Sequence, residues 1–378
     1  MKVLFLIDSL IGYGAEKSLL EIIIRFKNIN AIVVHLFEGD QLRGKLEKNG
    51  VKVYSLNLKQ SQNSRETIKI LSSIIESENP PIIHTTLFNS EMAGRELKRL
   101  YPQILLIGSF VSNSYSKFRF RQLSLINQLK LLTTQWRDKY SAGKVDFFIS
   151  NSEAIKSSNA KALGINKDKI VVIYRGRNIS FSSNRKNGAV LRGINLKNKK
   201  VFLNVARLQQ SKGQMDLLRA FKNFHIKNSK SVLLIAGEGG FREQLERYIK
   251  ENSLEKVIYL LGYRDDVSSL LAMSNFFIFP SYYEGLPGAL IEAILSETPS
   301  IISNIPENKE CLPENTALFF ETGNIEEIQN RMEEALRSQD WNEKTKKAKD
   351  YAISYFDINN ASKQYEDFYF TVRQSKFT

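Results

Sequence analysis

Short apolar runs alternate with helix-periodic segments along nearly the whole chain, and this alternation limits the possible folds more than any other feature. The first set of runs comprises residues 3–7, 31–37, 51–56, 82–84, 104–107, 145–149 and 170–174. The second set comprises residues 201–205, 232–236, 257–261, 276–279, 300–302 and 317–320. This order is typical of mostly parallel sheets that are covered by helices on both faces. The sequence therefore predicts an α/β fold with two such sheets.

The length of the chain also predicts two domains, because 378 residues can bury two separate cores. Residues 178–200 are rich in Ser, Asn, Lys and Arg and lack a long apolar face, so we interpret them as a linker. This places an N-terminal domain over residues 1–177 and a C-terminal domain over residues 201–354. Residues 355–378 follow as a predicted helix with aromatic residues at helical spacing.

The stretch after residue 276 carries the strongest candidate site. An apolar run breaks at Pro280 and is followed by a helical pattern with Leu290, Ile291, Ile294 and Leu295 on one face. A strand that runs through a tight loop into a helix is where α/β proteins hold anions, because free N–H groups and the positive helix end point at the ligand. The loop residues are Glu284, Gly285, Leu286, Pro287 and Gly288.

Two carboxylates flank this turn, Glu284 before the helix and Glu292 within it. An acid beside a helix N-terminus repels phosphate, so it should face the hydroxyls of a sugar or ribose, from which a carboxylate accepts two hydrogen bonds. The alternative is that Glu284 caps the helix and Glu292 is a solvated surface residue, since short motifs recur by chance.

Two cations follow the run at 201–205. Arg207 and Lys212 could clamp a diphosphate, because arginine supplies a planar fork and lysine a mobile point charge. Exposed loop cations are common, so the pair by itself is not specific. Gly237, after the next run, opens either a ligand loop or a plain strand-to-helix turn.

Together these segments resemble the retaining glycosyltransferases of family GT4, which have the GT-B fold. The resemblance rests on Glu284-Gly285, on Glu292 eight positions later, on Thr298-Pro299-Ser300-Ile301, and on Arg207 with Lys212-Gly213. It implies two Rossmann-like domains that face each other across a cleft. It also implies that the last segment, residues 355–378, crosses back to the first domain. Ser296-Glu297 departs from the Cys-Gly or Ala-Gly that is frequent in the family.

The resemblance also implies roles for individual residues. Glu284 would contact the transferred sugar and Glu292 the ribose of a nucleotide sugar, while Arg207 and Lys212 neutralise the diphosphate. The turn at Gly237 matches a glycine-rich turn of the family. The backbone near Tyr263 and Arg264 would hold the base.

The first strand is followed by Gly12-Tyr13-Gly14-Ala15-Glu16. A dinucleotide-binding fingerprint would place a third glycine at position 17, where Lys17 stands, so a nicotinamide dehydrogenase is disfavoured. The glycines still allow a ligand to approach the backbone. Gly14, Ala15 and Glu16 match the GT4 loop that lies against the donor phosphate and the acceptor, with Tyr13 as a departure.

His84 ends a predicted buried strand, where α/β crevices form, and the family resemblance favours a catalytic role for it. The alternative is a core or capping histidine. Many GT4 members carry a further histidine after the next strand, whereas residues 108–113 here contain none. Ser109 and Asn113 are the polar residues that could take its place.

The first half of the chain is basic. Residues 1–180 hold 27 Lys and Arg against 15 Asp and Glu, a net charge of +12, and the remainder holds only +2 of the total of +14. Residues 114–140 interleave basic, aromatic and apolar side chains, which is the composition of a surface that lies on anionic lipid. The alternatives are a helix packed on its own sheet with a solvated basic face, and a nucleic-acid surface, which no recognised motif supports.

Several classes of protein and site are disfavoured. The single cysteine, Cys311, excludes an intramolecular disulfide and a cysteine-based zinc cage, and we interpret it as a small buried residue. The first residues read as a strand and not a secretory signal, and no apolar run approaches the length of a membrane span. We therefore expect a cytoplasmic protein, which would lie peripherally at the membrane if residues 114–140 form a lipid-binding surface. No Asp-x-Asp triplet occurs, so no metal site is predicted.

The sequence thus leads to the hypothesis of a retaining, metal-independent glycosyltransferase. It would move a sugar from a nucleotide sugar, expected to be a UDP-sugar, to a lipid-linked or surface-polysaccharide glycan, and would need no further cofactor. One alternative is a nucleotide-sugar epimerase of the same fold. The other is a non-catalytic membrane- or nucleic-acid-binding protein that retains the fold. The sugar, the acceptor, the linkage and the oligomeric state stay open.

Overall fold

The computed structural model describes residues 1–59, 64–179, 191 and 193–375. The chain divides into two compact units. Unit 1 runs from Met1 to Gly176 and resumes at Ile358, and unit 2 runs from Arg177 to Asp357. Most of the predicted linker lies outside the described residues, because 180–190 and 192 are not among them.

A seven-stranded parallel sheet forms the centre of unit 1 within the described residues. Its strands are β1 (Lys2–Ile7), β2 (Asn30–Phe37), β3 (Lys52–Leu58), β4 (Ile82–Thr86), β5 (Leu105–Phe110), β6 (Phe147–Ser150) and β7 (Ile170–Val172). They are arranged in the order β3-β2-β1-β4-β5-β6-β7. The order reverses between β1 and β4, and in sheets of this kind ligands bind beyond the carboxyl ends of the strands at such a point.

Alternate residues of β1 are buried on opposite faces of this sheet, because side chains of a strand alternate with a period of two. Val3, Phe5 and Ile7 belong to one apolar core, and Leu4 and Leu6 belong to the other. Helices cover the sheet: α1 (Gly14–Ile23), α2 (Arg43–Lys48), α3 (Ser64–Glu78), α4 (Phe88–Leu100), α5 (Lys117–Arg121), α6 (Leu125–Ala142) and α7 (Glu153–Leu163).

Unit 2 repeats this architecture around a six-stranded parallel sheet within the described residues. Its strands are β8 (Lys200–Val205), β9 (Ser231–Ala236), β10 (Ile258–Gly262), β11 (Phe276–Phe279), β12 (Ser300–Ser303) and β13 (Leu318–Phe320). The order is β10-β9-β8-β11-β12-β13, which reverses between β8 and β11. Its helices are α8 (Gln214–Lys227), α9 (Arg242–Glu251), α10 (Val267–Met273), α11 (Gly288–Leu295), α12 (Pro306–Lys309), α13 (Ile325–Arg337) and α14 (Trp341–Phe356).

The last helix, α15 (Ile358–Ser375), belongs to unit 1 although it follows unit 2 in the chain. Tyr365 and Tyr369 are 1% and 0% exposed and pack in the same apolar core as Phe5 of β1. Glu366 accepts backbone N–H bonds from Lys27 and Asn28 at 2.9 and 2.6 Å. The aromatic spacing of this segment therefore reflects burial of one helix face against the first sheet.

The predicted α/β class is confirmed, and each predicted strand has an observed counterpart. Several strands of unit 1 extend beyond their predicted ends, and the largest extensions at the strand-order reversal are those of β4 to Thr86 and β5 to Phe110. His84, Thr85 and Thr86 are all 0% exposed. Except for Phe110, the residues added to these two strands lack large apolar side chains, so hydrophobic periodicity did not detect them; the hydroxyls of Thr85, Thr86 and Ser109 form buried hydrogen bonds within the sheet.

Candidate active site

In unit 2 the loops that follow β8 and β11 lie at the point where the strand order reverses. The Tyr282 N–H donates to the carbonyl oxygen of Ser211 at 2.9 Å, which joins the two loops directly. The Tyr282 hydroxyl also donates to Asp216 Oδ2 at 2.6 Å, and the Ser303 hydroxyl donates to the carbonyl oxygen of Ser281 at 2.6 Å. The loop after β11 is therefore held at Ser281 and Tyr282 by partners from the loop after β8, from α8 and from β12.

Lys212 and Glu284 form an ion pair at this edge of the sheet. Lys212 Nζ donates to Glu284 Oε1 at 2.6 Å, and the two side chains are 15% and 10% exposed. Partial burial makes this interaction stronger than it would be on an open surface. Two residues that the sequence assigned to the diphosphate and the sugar of a donor are thus adjacent, although 72 positions separate them in the chain.

Glu292 forms a second ion pair, with Arg177, a residue that no sequence motif singles out. Arg177 Nε donates to Glu292 Oε1 at 3.1 Å, and the two side chains are 23% and 22% exposed. The two positions are 115 residues apart, so no local pattern links them. A carboxylate held from one side by a guanidinium is oriented, unlike the solvated surface residue of the alternative interpretation.

The other predicted donor residues lie on the same edge of unit 2. Arg207 is exposed just beyond β8, and Tyr263 is 67% exposed just beyond β10. Arg264 Nε donates to Asp266 Oδ1 at 2.7 Å. Gly285 and Leu286 are half-buried in the loop. Pro287 was predicted in the first turn of the helix, whereas it is the N-cap residue of α11, one position earlier.

Gly237 joins three of these loops through its backbone. Its φ angle is +145°, and a Cβ atom added there would lie 1.9 Å from the carbonyl oxygen of Ala206. Its N–H donates to the carbonyl oxygen of Gly262 at 2.8 Å. Only glycine combines this dihedral angle with such a close backbone approach. The residue therefore fixes the loops after β8, β9 and β10 relative to one another, whatever else it contacts.

We expect Gly237→Ala to lower the free energy of unfolding by roughly 3 kcal/mol, because both the φ angle and the contact with Ala206 become unfavourable. Gly240→Ala is the matched control, since an added Cβ there has no neighbour within 4 Å. Urea unfolding followed by tryptophan fluorescence would compare the variants. Equal midpoints for the two substitutions would contradict the prediction.

In unit 1 the predicted glycine loop lies between β1 and α1. Gly14 is exposed and is the first residue of α1. A Cβ atom added to it would have no neighbour within 4 Å. The conformation that requires glycine belongs instead to Gly12, whose φ is +102°. Arg175, which is 3% exposed, donates from Nη1 to the Ala15 carbonyl oxygen at 3.0 Å and to Ser18 Oγ at 3.2 Å, and so ties the end of this domain to the first turn of α1.

His84 lies in the core, which does not support the direct catalytic role predicted for it. Its side chain is 0% exposed, with Nε2 hydrogen-bonded to Ser109 Oγ at 2.7 Å and Nδ1 to the Tyr369 hydroxyl at 2.5 Å. Burial, with a contribution from the nearby Arg175, lowers the pKa of the imidazole to about 3. His84 is thus a neutral histidine whose two ring nitrogens both form hydrogen bonds inside the protein. This agrees with the alternative interpretation, in which His84 is a core residue. It links β4, β5 and α15.

The two residues suggested as substitutes for the missing family histidine are also engaged within unit 1. Ser109 Oγ contacts His84 and lies 3.0 Å from Thr86 Oγ1. Asn113 Oδ1 accepts a hydrogen bond from the Ser158 hydroxyl at 2.7 Å. Ser109 is 7% exposed, so its surroundings are those of a structural hydroxyl.

A second buried polar group joins this region to α6. The Ser109 N–H donates to Glu91 Oε1 at 2.8 Å, and Glu91 Oε2 pairs with Arg95 at 3.2 Å. Arg95, which is 2% exposed, also donates to Asp138 Oδ1 of α6 at 2.7 Å. Burial raises the pKa of Glu91 to about 7; Arg95 and the Ser109 N–H oppose the rise, and Asp138 adds to it. Two carboxylates thus share one guanidinium inside the protein.

This pKa predicts that stability depends on pH. Between about 4.5 and about 7 the folded protein retains a proton on Glu91 that the unfolded chain releases, so the free energy of unfolding falls as pH rises through this window. The expected loss is on the order of 3 kcal/mol. Glu91→Gln should flatten the slope, while Glu96→Gln, on an exposed position of α4, should leave it unchanged. Denaturation at several pH values would measure both slopes, and an unchanged slope in Glu91→Gln would contradict the assignment.

Helix α6 presents apolar side chains to solvent. It is anchored by Leu131, Asp138 and Ala142, which are buried. A different face carries Leu125, Ile126, Leu129, Leu132, Trp136 and Tyr140, which are 78, 68, 64, 46, 66 and 79% exposed. We call these six residues the α6 apolar face. Helix α6 thus packs within unit 1 and exposes basic residues, as the alternative interpretation of residues 114–140 holds, but the side turned to water also carries six large apolar side chains.

Within the described ranges, no group of three or more His, Cys, Asp and Glu side chains is arranged to hold a metal ion. None of the helices in the described part of the chain combines the length and the hydropathy that crossing a bilayer requires.

Family models match both halves of the chain. Residues 13–181 match the model described as Glycosyltransferase Family 4, and residues 191–354 match that described as Glycosyl transferases group 1. An uncharacterized glycosyltransferase of Methanocaldococcus jannaschii is 28% identical over 278 residues, which are 69% of this chain and 65% of that protein. The UDP-Gal:alpha-D-GlcNAc-diphosphoundecaprenol alpha-1,3-galactosyltransferase of Escherichia coli is 26% identical over 308 residues, which are 79% of this chain and 77% of that protein.

The chain is also similar to solved structures over nearly its full length. Anabaena Alr3699/HepE in complex with UDP and glucose has a TM-score of 0.84 and 18% identity, covering 98% of this chain and 100% of that chain. Sucrose-phosphate synthase from Thermosynechococcus elongatus has a TM-score of 0.79 and 15% identity, covering 99% and 100%. At such identities the likeness concerns the fold, and it confirms the predicted GT-B architecture of two Rossmann-like domains.

Proposed function

The chain belongs to the family 4 glycosyltransferases of the GT-B type, and from this premise we propose that it transfers a sugar from a UDP-sugar to a lipid-linked glycan acceptor with retention of configuration. The observation that carries the proposal is the Lys212–Glu284 pair, 2.6 Å long, at the carboxyl edge of β8 and β11. It brings an ammonium group suited to a diphosphate and a carboxylate suited to sugar hydroxyls to one point where the loops after β8 and β11 meet.

In the proposed reaction, negative charge develops on the departing diphosphate. Arg207, Lys212 and the first N–H groups of α11 supply fixed positive charge, which needs no reorganisation when the bond breaks. The bond between the sugar C1 and the phosphate oxygen breaks, a bond from C1 to the acceptor oxygen forms on the same face, and the acceptor proton passes to the departing phosphate oxygen. Glu284 orients the sugar through its hydroxyls.

The donor and acceptor classes are supported by relatives. The Escherichia coli relative is named for a UDP-galactose donor and a diphosphoundecaprenol-linked acceptor. A Campylobacter jejuni relative, 29% identical over 151 residues, is also named for a diphospho-undecaprenol-linked substrate. The basic first half of the chain, with a net charge of +12 over residues 1–180, suits an acceptor that carries a diphosphate at an anionic membrane.

Calorimetric titration of UDP, GDP and ADP without added metal tests the donor site. We expect UDP to bind tightest and Glu292→Ala to weaken it at least tenfold, because a carboxylate bonded to two ribose hydroxyls is lost. Product analysis with a UDP-sugar and a lipid-linked acceptor then tests transfer. Release of an epimerised sugar without any transfer product would favour the epimerase, and absence of binding by all three nucleotides would favour the non-catalytic alternative.

We further propose that α5 and the α6 apolar face lie on anionic lipid. The exposed cations Lys117, Arg119 and Arg121 adjoin the apolar face, which combines the two attractions that hold an amphipathic surface on a bilayer. Replacing all three cations by glutamine should reduce sedimentation with phosphatidylglycerol vesicles at least tenfold.

The matched control replaces Lys227, Lys346 and Lys347, three exposed lysines of unit 2, and lowers the net charge equally. Its vesicle binding should stay near that of the wild type. An equal loss in both triple variants would mean that net charge and not this surface governs the association.

A further inference from the structure

Arg177 is fixed by its backbone where the chain passes into unit 2. Unit 2 begins at Arg177 and ends at Asp357, and these two residues form an isolated parallel bridge. The Arg177 N–H donates to the carbonyl oxygen of Phe356 at 2.7 Å, and Phe356 is 0% exposed. The first and last residues of the unit are therefore joined. These backbone contacts fix the position from which the Arg177 side chain extends.

The side chain of Arg177 extends from this point over the start of α11. A Cβ atom added to Gly288 would lie 1.6 Å from Arg177 Nη2 and 2.6 Å from its Cζ. The guanidinium therefore packs against the Cα of Gly288. Any side chain at position 288 would displace the guanidinium. From there Nε reaches Glu292 Oε1 at 3.1 Å, one turn further along the helix.

Arg177 and Glu284 of the candidate donor site act on the same buried thiol. Burial raises the pKa of the Cys311 thiol; Glu310, Glu284 and Glu307 add to the rise, and Arg177 opposes it. Three carboxylates and the Arg177 guanidinium are thus close enough to influence one buried thiol. A cation in acidic surroundings with a carboxylate partner is held firmly in place.

We propose that Arg177 is a positioning residue for the ribose of the nucleotide donor, because it holds the Glu292 carboxylate in the orientation that accepts the ribose hydroxyls. This inference rests on the proposed function. It assigns Gly288 the task of leaving room for the guanidinium. The competing explanation is a purely structural ion pair that fastens the start of unit 2 to α11.

Binding of UDP and of 2′,3′-dideoxy-UDP distinguishes the two explanations, because the dideoxy compound lacks the hydroxyls through which Glu292 would act. Arg177→Ala should weaken UDP roughly tenfold and leave the affinity for dideoxy-UDP unchanged. A purely structural role would change both affinities alike or neither. Arg177→Lys should recover part of the affinity for UDP, since a charge remains without the planar fork.

Gly288→Ala provides a second variant in which arginine is retained but displaced. It should reproduce the selective loss of UDP affinity, and it should add nothing when combined with Arg177→Ala, because the group it displaces is then missing. Lys349→Ala is the control, since it removes a lysine that pairs at 2.6 Å with Glu297, just beyond α11. It should leave both affinities unchanged.

Two results would overturn the inference while the proposed function stands. The first is a wild type that binds UDP with an affinity that neither Arg177→Ala nor Gly288→Ala alters. The second is an equal loss for UDP and dideoxy-UDP in folded variants, which thermal unfolding would verify. A wild type that binds none of UDP, GDP and ADP would overturn the proposed function and the inference together.

Discussion

Glu284→Gln should lower the rate of sugar transfer by a factor of 10² to 10³ while the protein stays folded, as expected for loss of one preorganised group that acts on the reacting sugar. Glutamine matches glutamate in size and can still accept a hydrogen bond from Lys212, which lies 2.6 Å from Glu284 Oε1. The change therefore removes charge and hydroxyl recognition with little change in packing. Release of UDP in the presence of acceptor would measure the loss.

The matched control for Glu284→Gln is Glu297→Gln. Glu297 is also a carboxylate paired with a lysine at 2.6 Å, and it lies in the same segment, after α11. It should retain wild-type transfer. Transfer by Glu284→Gln within threefold of the wild type would remove Glu284 from the site and leave the Lys212–Glu284 contact as a structural ion pair.

Lys212→Ala should lower kcat/KM by a similar factor of 10² to 10³, because the departing diphosphate loses a fixed positive charge. The Glu284 carboxylate would also lose its partner, and it would then repel the diphosphate. Initial rates over a range of UDP-sugar concentrations would separate the effect on kcat from the effect on KM. Lys212→Arg should retain more activity than Lys212→Ala, since it keeps the charge.

Lys222→Ala is the control for Lys212→Ala. Lys222 is a cation of α8 that contacts Asn252 Oδ1 at 2.7 Å, away from the loops after β8 and β11. The double variant Lys212→Ala with Glu284→Gln gives a further check. Two residues that act as one unit should lose less together than the product of their separate losses. Fully multiplicative losses would mean that the two side chains act independently.

The sequence alone determined the architecture of each unit. Alternation of apolar runs with helical patterns predicted every strand from β1 to β13, because burial on both faces of a parallel sheet demands continuous apolar runs. The turn after β11 was found in the same way, since a strand, a proline and glycine loop and an apolar helix face are all local signals. Each of these signals lies within a short segment of the chain. It can be recognised without knowing which other segments that segment contacts.

The candidate donor residues were also accessible from the sequence, but only as separate motifs. Arg207, Lys212, Glu284 and Glu292 were selected from strand ends and from a family resemblance. Their pairing was not predicted, because it depends on which loops the sheet order brings together. Arg177 carried no signal at all: its partner Glu292 is 115 residues away, and its place over Gly288 depends on the bond to Phe356.

Only the tertiary structure decided which of the candidate side chains are buried and which are exposed. His84 ends the apolar run of β4, where a site residue and a core residue look alike in sequence; the return of α15, with the Tyr369 hydroxyl 2.5 Å from Nδ1, placed it in the core. In α6 the sequence showed an apolar stripe but not which way it faces. The buried Arg95–Asp138 pair, at 2.7 Å, anchors the other side and leaves the stripe exposed. Periodicity reports which residues share a face, whereas solvent exposure is fixed by segments that are distant in the chain.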